Sequence, residues 1–337
     1  MRRREFLRTR QICHKTLLSL ALLGVLAGCG QSSGPGSSGG GEGSLTLLTI
    51  GTADSGGTMY QAGSAIVQAI TQEDSSIKIN ISASTGSNMN VNSLASGEVD
   101  LALVSGDVAY AAEAGDSGLK APEGGLRAIA AVYSSVSSWT VLADSSYVYV
   151  HELAGATVGV GPEGSSTDLS AQVAISALAL REQGTSLINC GLGDGARLLA
   201  NGDLDAVHGF TGMPIPSITD LSEKEPCRLL LYTPEELSAI LAENPVYYAA
   251  QIPAEIYPGQ TEAVDTFGVK CLLCVSGAMP EELAYQLAQA LWDASGHMGE
   301  YHPCLEDMAQ AEFLCQDLPI PLHPGAERFY EEMGVLP

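Results

Sequence analysis

Four turns rich in glycine and hydroxyl residues are the segments of this 337-residue sequence whose composition could do chemistry. They read Gly51-Thr52-Ala53-Asp54-Ser55-Gly56-Gly57-Thr58, Thr85-Gly86-Ser87-Asn88, Ser105-Gly106-Asp107 and Gly161-Pro162-Glu163-Gly164-Ser165-Ser166-Thr167. Each follows a strand-like run. Glycine lets backbone N–H groups approach a ligand closely, and a helix that starts there adds a dipole end that attracts anions. Plain tight turns with helix caps use the same residues, so Asp107 reads equally as a cap acid and as a ligand contact. Signatures of turnover are missing: there is no GxSxG elbow, no P-loop lysine and no HExxH. Gly159-Val160-Gly161-Pro162-Glu163-Gly164 spells GxGxxG, but Glu182 closes a helix and not a second strand, so a dinucleotide lacks its ribose acid. His297 and His302, with Cys304 nearby, have no further metal partners in view and read as surface or packing residues. The chemistry expected is binding, with no catalytic residue, no cofactor and no metal.

The elements around the turns alternate. Strand-like runs at 45–50, 77–83 and 99–104 are separated by helical spacing over 59–70 and 88–96, which is a repeated βα pattern and predicts a mostly parallel sheet. Strands follow at 126–133, 139–144 and 156–160, then a helix over 168–183 and strands near 186–190 and 205–210. Thr233-Pro234-Glu235-Glu236-Leu237 reads as a capped helix start, 267–275 as an apolar strand, and 280–295 as a long helix opened by a proline and two acids. About 290 residues exceed what one such core usually holds, so two α/β lobes are expected. In open α/β sheets, ligands bind beyond the carboxyl ends of the strands, which is where the four turns lie.

Charge and the N-terminus set the class. Lys plus Arg number 15 against 39 Asp plus Glu, a formal net charge of −24, which argues against a nucleic acid partner. Six of the basic residues and only Glu5 of the acids fall in residues 1–28, so the remainder carries nine cations against 38 acids, formally −29. A strongly cationic pocket is therefore not expected. Residues 1–15 are basic and 16–27 apolar, the order of a secretory signal, and the apolar run is too short to span a bilayer. Leu26-Ala27-Gly28-Cys29 resembles the bacterial lipobox, which implies a lipid on Cys29 and an extracytoplasmic protein tethered to the membrane. Arg3-Arg4-Glu5-Phe6-Leu7 also resembles a twin-arginine export signal. Residues 29–44 read as a flexible Gly/Ser tether. Of the later cysteines, Cys271 and Cys274 sit three apart in a strand-like run, facing opposite sides of a sheet, and read as buried free thiols.

Taken in order with their neighbours, the turns resemble the solute receptors of TRAP transporters in the TAXI family (TRAP-associated extracytoplasmic immunogenic proteins). The pieces are 51–60, 85–115, 126–133, 158–167, 204–214, 252–260 and 319–334. The resemblance implies a type II periplasmic-binding-protein-like α/β fold of two lobes joined by crossover strands, with the ligand in the cleft between them. Lobe 1 is expected over 45–133 and 268–337, and lobe 2 over 134–267. It further implies a monomeric receptor, not an enzyme, that captures a glutamate-like or dicarboxylate-like organic acid or amino acid and delivers it to a TRAP permease; a receptor of an ABC importer with the same fold is the alternative. Carried over position by position, the ligand contacts are Gly56, Gly57, Thr58, Met59 and Tyr60 in the first turn, and Ser87 and Asn88 in the second. Ser105 and Asp107 come from the third, Gly164, Ser165, Ser166 and Thr167 from the fourth, and Gly212 and Met213 from a later segment. Met59 and Met213 stand where aromatics are usual, Ser105 where Gln is usual, and Ala53-Asp54 replaces glycines, which puts an acid near the cleft. Trp139 could line the cleft or pack in a core, and Arg127 and Arg328 are the cations to locate first.

Overall fold

The computed structural model describes residues 45–115 and 118–337, so the signal segment, Cys29 and the tether lie outside the described residues. The strands are β1 (Thr46–Gly51), β2 (Ile77–Ser82), β3 (Leu101–Ser105), β4 (Leu126–Leu142), β5 (Thr157–Gly159), β6 (Ser186–Ile188), β7 (Ala206–Thr211), β8 (Cys227–Leu229), β9 (Tyr248–Ile252) and β10 (Val264–Ser276). They form one sheet in the order β2-β1-β3-β10-β4-β7-β5-β6, with β8 on β4 and β9 on β10. β1 pairs in parallel with β2 and β3 in one half, and β5 in parallel with β6 and β7 in the other.

Two long strands belong to both halves. β4 runs antiparallel to β10 from Leu126 to Val136, then pairs with β7 and β8 from Val136 to Leu142. β10 in turn reaches past β4 to pair with β9 over Val264–Gly268. The sequence pattern divides the first of these into 126–133 and 139–144; the structure has one continuous strand that runs through Ser134, Ser135, Ser137 and Ser138. Two of these hydroxyls have partners that let them lie inside: Ser137 Oγ is 3.0 Å from Tyr232 Oη, and Ser134 Oγ accepts from Tyr248 Oη at 2.9 Å.

The helices are α1 (Thr58–Glu73), α2 (Ser87–Ser96), α3 (Gly106–Ala114), α4 (Ser166–Ala177), α5 (Leu192–Asn201), α6 (Pro216–Ser222), α7 (Pro234–Glu243) and α8 (Glu281–Ala294), followed by the short Met298–Tyr301 and Ala311–Cys315 and the C-terminal Pro324–Glu332. α1 buries Ala62, Ala65, Ile66, Ala69 and Ile70, a 3.6-residue stripe that packs with Leu287 and Leu291 of α8 and with Phe329 of the C-terminal helix Pro324–Glu332 on one face of the first half. α7 begins with the expected cap: Thr233 Oγ1 accepts from Glu236 N, and Glu236 Oε2 accepts from Thr233 N at 2.7 Å. α4 stops at Ala177, short of the 183 that periodicity suggests. Ala179 takes the left-handed φ of 51°, and Leu180 N returns to Ile175 O at 2.9 Å, closing the end although the apolar pattern runs on. Cys271 and Cys274 are buried free thiols whose side chains enter the cores on opposite faces of the sheet. Among the described residues, no helix is long and apolar enough to cross a membrane.

His208 of β7 shows how dry the second half is. Its ring lies 4.3 Å from that of Trp139, Nε2 is 3.1 Å from Ser170 Oγ, and burial pushes its pKa down to about 3. The folded protein thus holds this imidazole neutral, whereas the unfolded chain takes up a proton below about pH 6.5. Stability from this group is complete above that pH and falls as pH drops towards 3, by about 1.4 kcal/mol per pH unit. Urea unfolding of wild type and His208→Gln across pH 3.5–7.5 should show the variant losing less stability on acidification.

Candidate functional site

The loops at the carboxyl ends of the strands meet where the two halves face each other. They enclose a cavity of about 30 Å³, walled by Asp54, Gly57 and Met59 from the first turn, Thr85 and Gly86 from the second, and Pro162, Ser165, Ser166 and Thr167 from the fourth. Leu192 of α5 and Phe210-Thr211 at the end of β7 complete it. The halves touch around this space. Thr58 Oγ1 donates to Gly212 O at 2.6 Å, and the backbones at Gly56 and Gly193 are so close that a Cβ on Gly56 would lie 3.0 Å from Gly193 N. A Cβ on Gly86 would lie 3.1 Å from that of Ser165. The arrangement is closed.

Local chemistry shapes each wall. In the fourth turn Gly161 and Gly164 take φ of 78° and 73°, the left-handed region that glycine enters without strain. Ser165 Oγ is spent on capping α4, accepting from Asp168 N at 3.1 Å, while Asp168 Oδ2 accepts from Gly164 N at 3.0 Å. That leaves the first turn of α4, with Ser166 and Thr167, at the cavity wall. Asn90 holds the first and second turns in place: its buried Nδ2 donates at 2.7 Å both to Thr52 O and to Leu103 O. Asp54 is the sole ionisable residue on the wall, and its Oδ1 accepts from Gly56 N at 2.9 Å.

Of the expected ligand contacts, the structure brings Gly57, Met59, Ser165, Ser166 and Thr167 to the cavity wall. Gly56 lies at the seam between the halves, and Thr58 makes the tie to Gly212. Asn88 faces Gly164 across that seam, its Nδ2 3.0 Å from where a Cβ of that glycine would be. Tyr60 is half-buried and not on the wall. The third turn also lies off the cavity. Ser105 N donates to Ser87 Oγ at 3.0 Å, and Asp107 Oδ2 accepts from Tyr247 Oη at 2.9 Å. Burial holds the Asp107 carboxyl above its ordinary range, although hydrogen bonds from Ser105, Tyr247 and the backbone pull the other way. Met213 Sδ accepts from Tyr257 Oη at 3.3 Å and lines a separate groove of about 370 Å³ beside Tyr248 and Cys304. Trp139 is fully buried in the second half's core. Arg127 pairs with Glu113 at 2.6 Å and Arg328 with Glu282 at 3.0 Å, both away from the cavity.

Sequence reasoning missed Leu192, Phe210 and Thr211 as wall residues. The first opens a helix, Leu192–Asn201, that the sequence reading left out although Leu192, Ala196 and Leu199 recur at helical spacing. The other two end a strand, and the rule that ligands sit at carboxyl ends of strands could have marked them.

Solved structures of similar fold cover most of the chain at low identity. A protein from Bordetella bronchiseptica RB50 is 15% identical over 87% of this chain and 90% of its own, with a TM-score of 0.50. The alkanesulfonate-binding protein of Xanthomonas axonopodis pv. citri bound to MOPS is 17% identical over 87% and 85%, at 0.48. The substrate-binding protein of an amino acid ABC transporter is 14% identical over 78% and 98%, at 0.46. The chain has the periplasmic-binding-protein-like fold, two α/β lobes joined by the crossover strands β4 and β10 with a cleft between them. The profile of the NMT1-like family matches residues 50–334, from the first strand through the last helix, and the chain belongs to the NMT1-like family.

Proposed function

We propose that this protein is an extracytoplasmic solute-binding receptor, anchored through lipid on Cys29, that captures a small organic acid or amino acid and hands it to a membrane permease. The observation that carries this reading is the cavity itself: both halves of the sheet wall it, and the seam around it is made of glycines, Asn88, Ser165 and the Thr58 hydroxyl, contacts that can part and re-form. A binding-competent closed state selected by ligand is how such a device reports occupancy. The division into lobe 1 at 45–133 and 268–337 and lobe 2 at 134–267 belongs to this proposal. So does the absence of chemistry on the ligand, which fits walls bearing hydroxyls, apolar groups and a single acid.

An ABC importer is the permease we place first, since the solved structures of similar fold include substrate-binding proteins of ABC transporters. The TRAP class is the second reading, carried by the motif resemblance of the turns. Co-purification of the receptor with either permease, from membranes holding both, separates them.

Thermal unfolding of the purified protein against organic acids, amino acids and sulfonates tests the receptor reading. A ligand at 100 times its Kd adds about 2.7 kcal/mol and raises Tm. Tm unchanged by every compound would overturn it.

A further inference from the structure

We infer that the groove beside Tyr248 and Cys304 is a second binding site, separate from the cavity at the seam, and that it takes an apolar primary amine lacking a carboxylate. At about 370 Å³, against about 30 Å³ for the cavity, the groove lies in the size range of small-molecule sites. Its walls come from both halves. Val136 belongs to the crossover strand β4, Met213, Ala250 and Ile256 to the second half, and Pro303 and Cys304 to the first. Such walls suit a hydrocarbon chain, which gains by leaving water. The charged part of the lining has one sign: Glu306 and Asp307 line the groove and, among the described residues, no Lys, Arg or His does.

Asp307 is half-buried and under-supplied with partners. Ser134 Oγ donates to its Oδ2 at 3.4 Å, a long contact, while accepting from Tyr248 Oη at 2.9 Å. Burial holds the Asp307 carboxyl above its ordinary range and the charge of Glu306 adds to this, although Ser134 and Lys270 pull the other way. Lys270 stays outside the groove, where its Nζ donates to Phe313 O and Gln316 O at 3.2 and 2.7 Å. Among the described residues, neither Glu306 nor Asp307 is ion-paired. Two adjacent carboxylates therefore share one wall, repel each other, and leave the partly desolvated one without a counter-charge. An ammonium group offsets both costs. A carboxylate on the occupant would add a third like charge in a protein already strongly negative, which separates this site from one for organic acids.

The test is Kd by calorimetry for hexylamine, butylamine and hexanol at neutral pH, where the amines are protonated, on wild type, Asp307→Asn and Glu306→Gln. Hexylamine should bind wild type at least about 10-fold more tightly than hexanol, the share of a hydrogen bond to a charged group. It should also exceed butylamine by about 15-fold, the gain from burying two more methylenes. Asp307→Asn keeps an oxygen to accept from Ser134 and removes the charge, so it should weaken hexylamine by at least about 10-fold, leave hexanol within a few-fold and keep the wild-type Tm. Glu306 is exposed, so Glu306→Gln folds as wild type does and should weaken hexylamine by about 3-fold, as an exposed ion pair would. Absence of hexylamine binding to wild type, hexanol binding as tightly as hexylamine, or hexylamine affinity unchanged in both variants would overturn the amine site. None of these outcomes touches solute capture in the cavity, which the response of Tm to organic acids and amino acids decides.

Discussion

Trp139→Ala should lower stability by about 3–5 kcal/mol, the largest single-residue effect expected in the fold. The indole is fully buried near the end of the crossover strand β4, tilted against His208, and its Nε1 donates to Tyr232 Oη at 2.5 Å. Truncation removes the bulk of a core that also contains Phe210, Phe267 and Tyr247, and leaves a void between rigid strands that cannot collapse to fill it. Trp139→Phe separates the terms: it keeps most of the volume but deprives Tyr232 of one hydrogen bond, so a loss of about 1–2 kcal/mol is expected. Denaturant unfolding followed by circular dichroism measures both. Equal losses for Ala and Phe would show that the hydrogen bond, and not the packing, dominates.

Gly56→Val should weaken ligand binding by about 100-fold with little change in the stability of the fold. Gly56 has a backbone conformation open to any residue, but its Cβ would sit 3.0 Å from Gly193 N and 3.2 Å from Gly193 Cα on the facing half. The branched side chain therefore acts as a wedge at the seam. If the closed arrangement falls from dominant to about one molecule in a hundred, the apparent Kd rises by the inverse of that fraction. Small-angle scattering without ligand should report a larger radius of gyration for the variant than for wild type. A variant as compact as wild type, binding with normal affinity, would show that the seam has slack to take two methyl groups.

Most of the fold was legible because it is written in local patterns. The apolar spacing of Ala62, Ala65, Ile66, Ala69 and Ile70 fixes α1, and the Thr233 capping box fixes the start of α7. What the sequence concealed depends on partners distant along the chain. Ser137 falls between two expected strands until Tyr232, 95 positions later, supplies the hydrogen bond that lets it lie inside one continuous strand. The third turn reads like the other three, yet Tyr247 claims Asp107 and draws it into the body of the protein. Asp54 is the reverse case, a departure from a glycine pattern visible at once, whose place on the cavity wall emerges only when the two halves meet.

The position of β10 bears on how the polypeptide is made. β3 and β4 follow one another in sequence, yet they are not bonded to each other; β10, residues 264–276, lies between them. A nascent chain that has emerged from the ribosome as far as β9 therefore has the sheet of its first half split in two, with the filling strand still unsynthesised. Native closure of that half waits for nearly the whole sequence, so its sheet stays incomplete through most of translation, which keeps the early segments easier to unfold and thread through a narrow translocation pore.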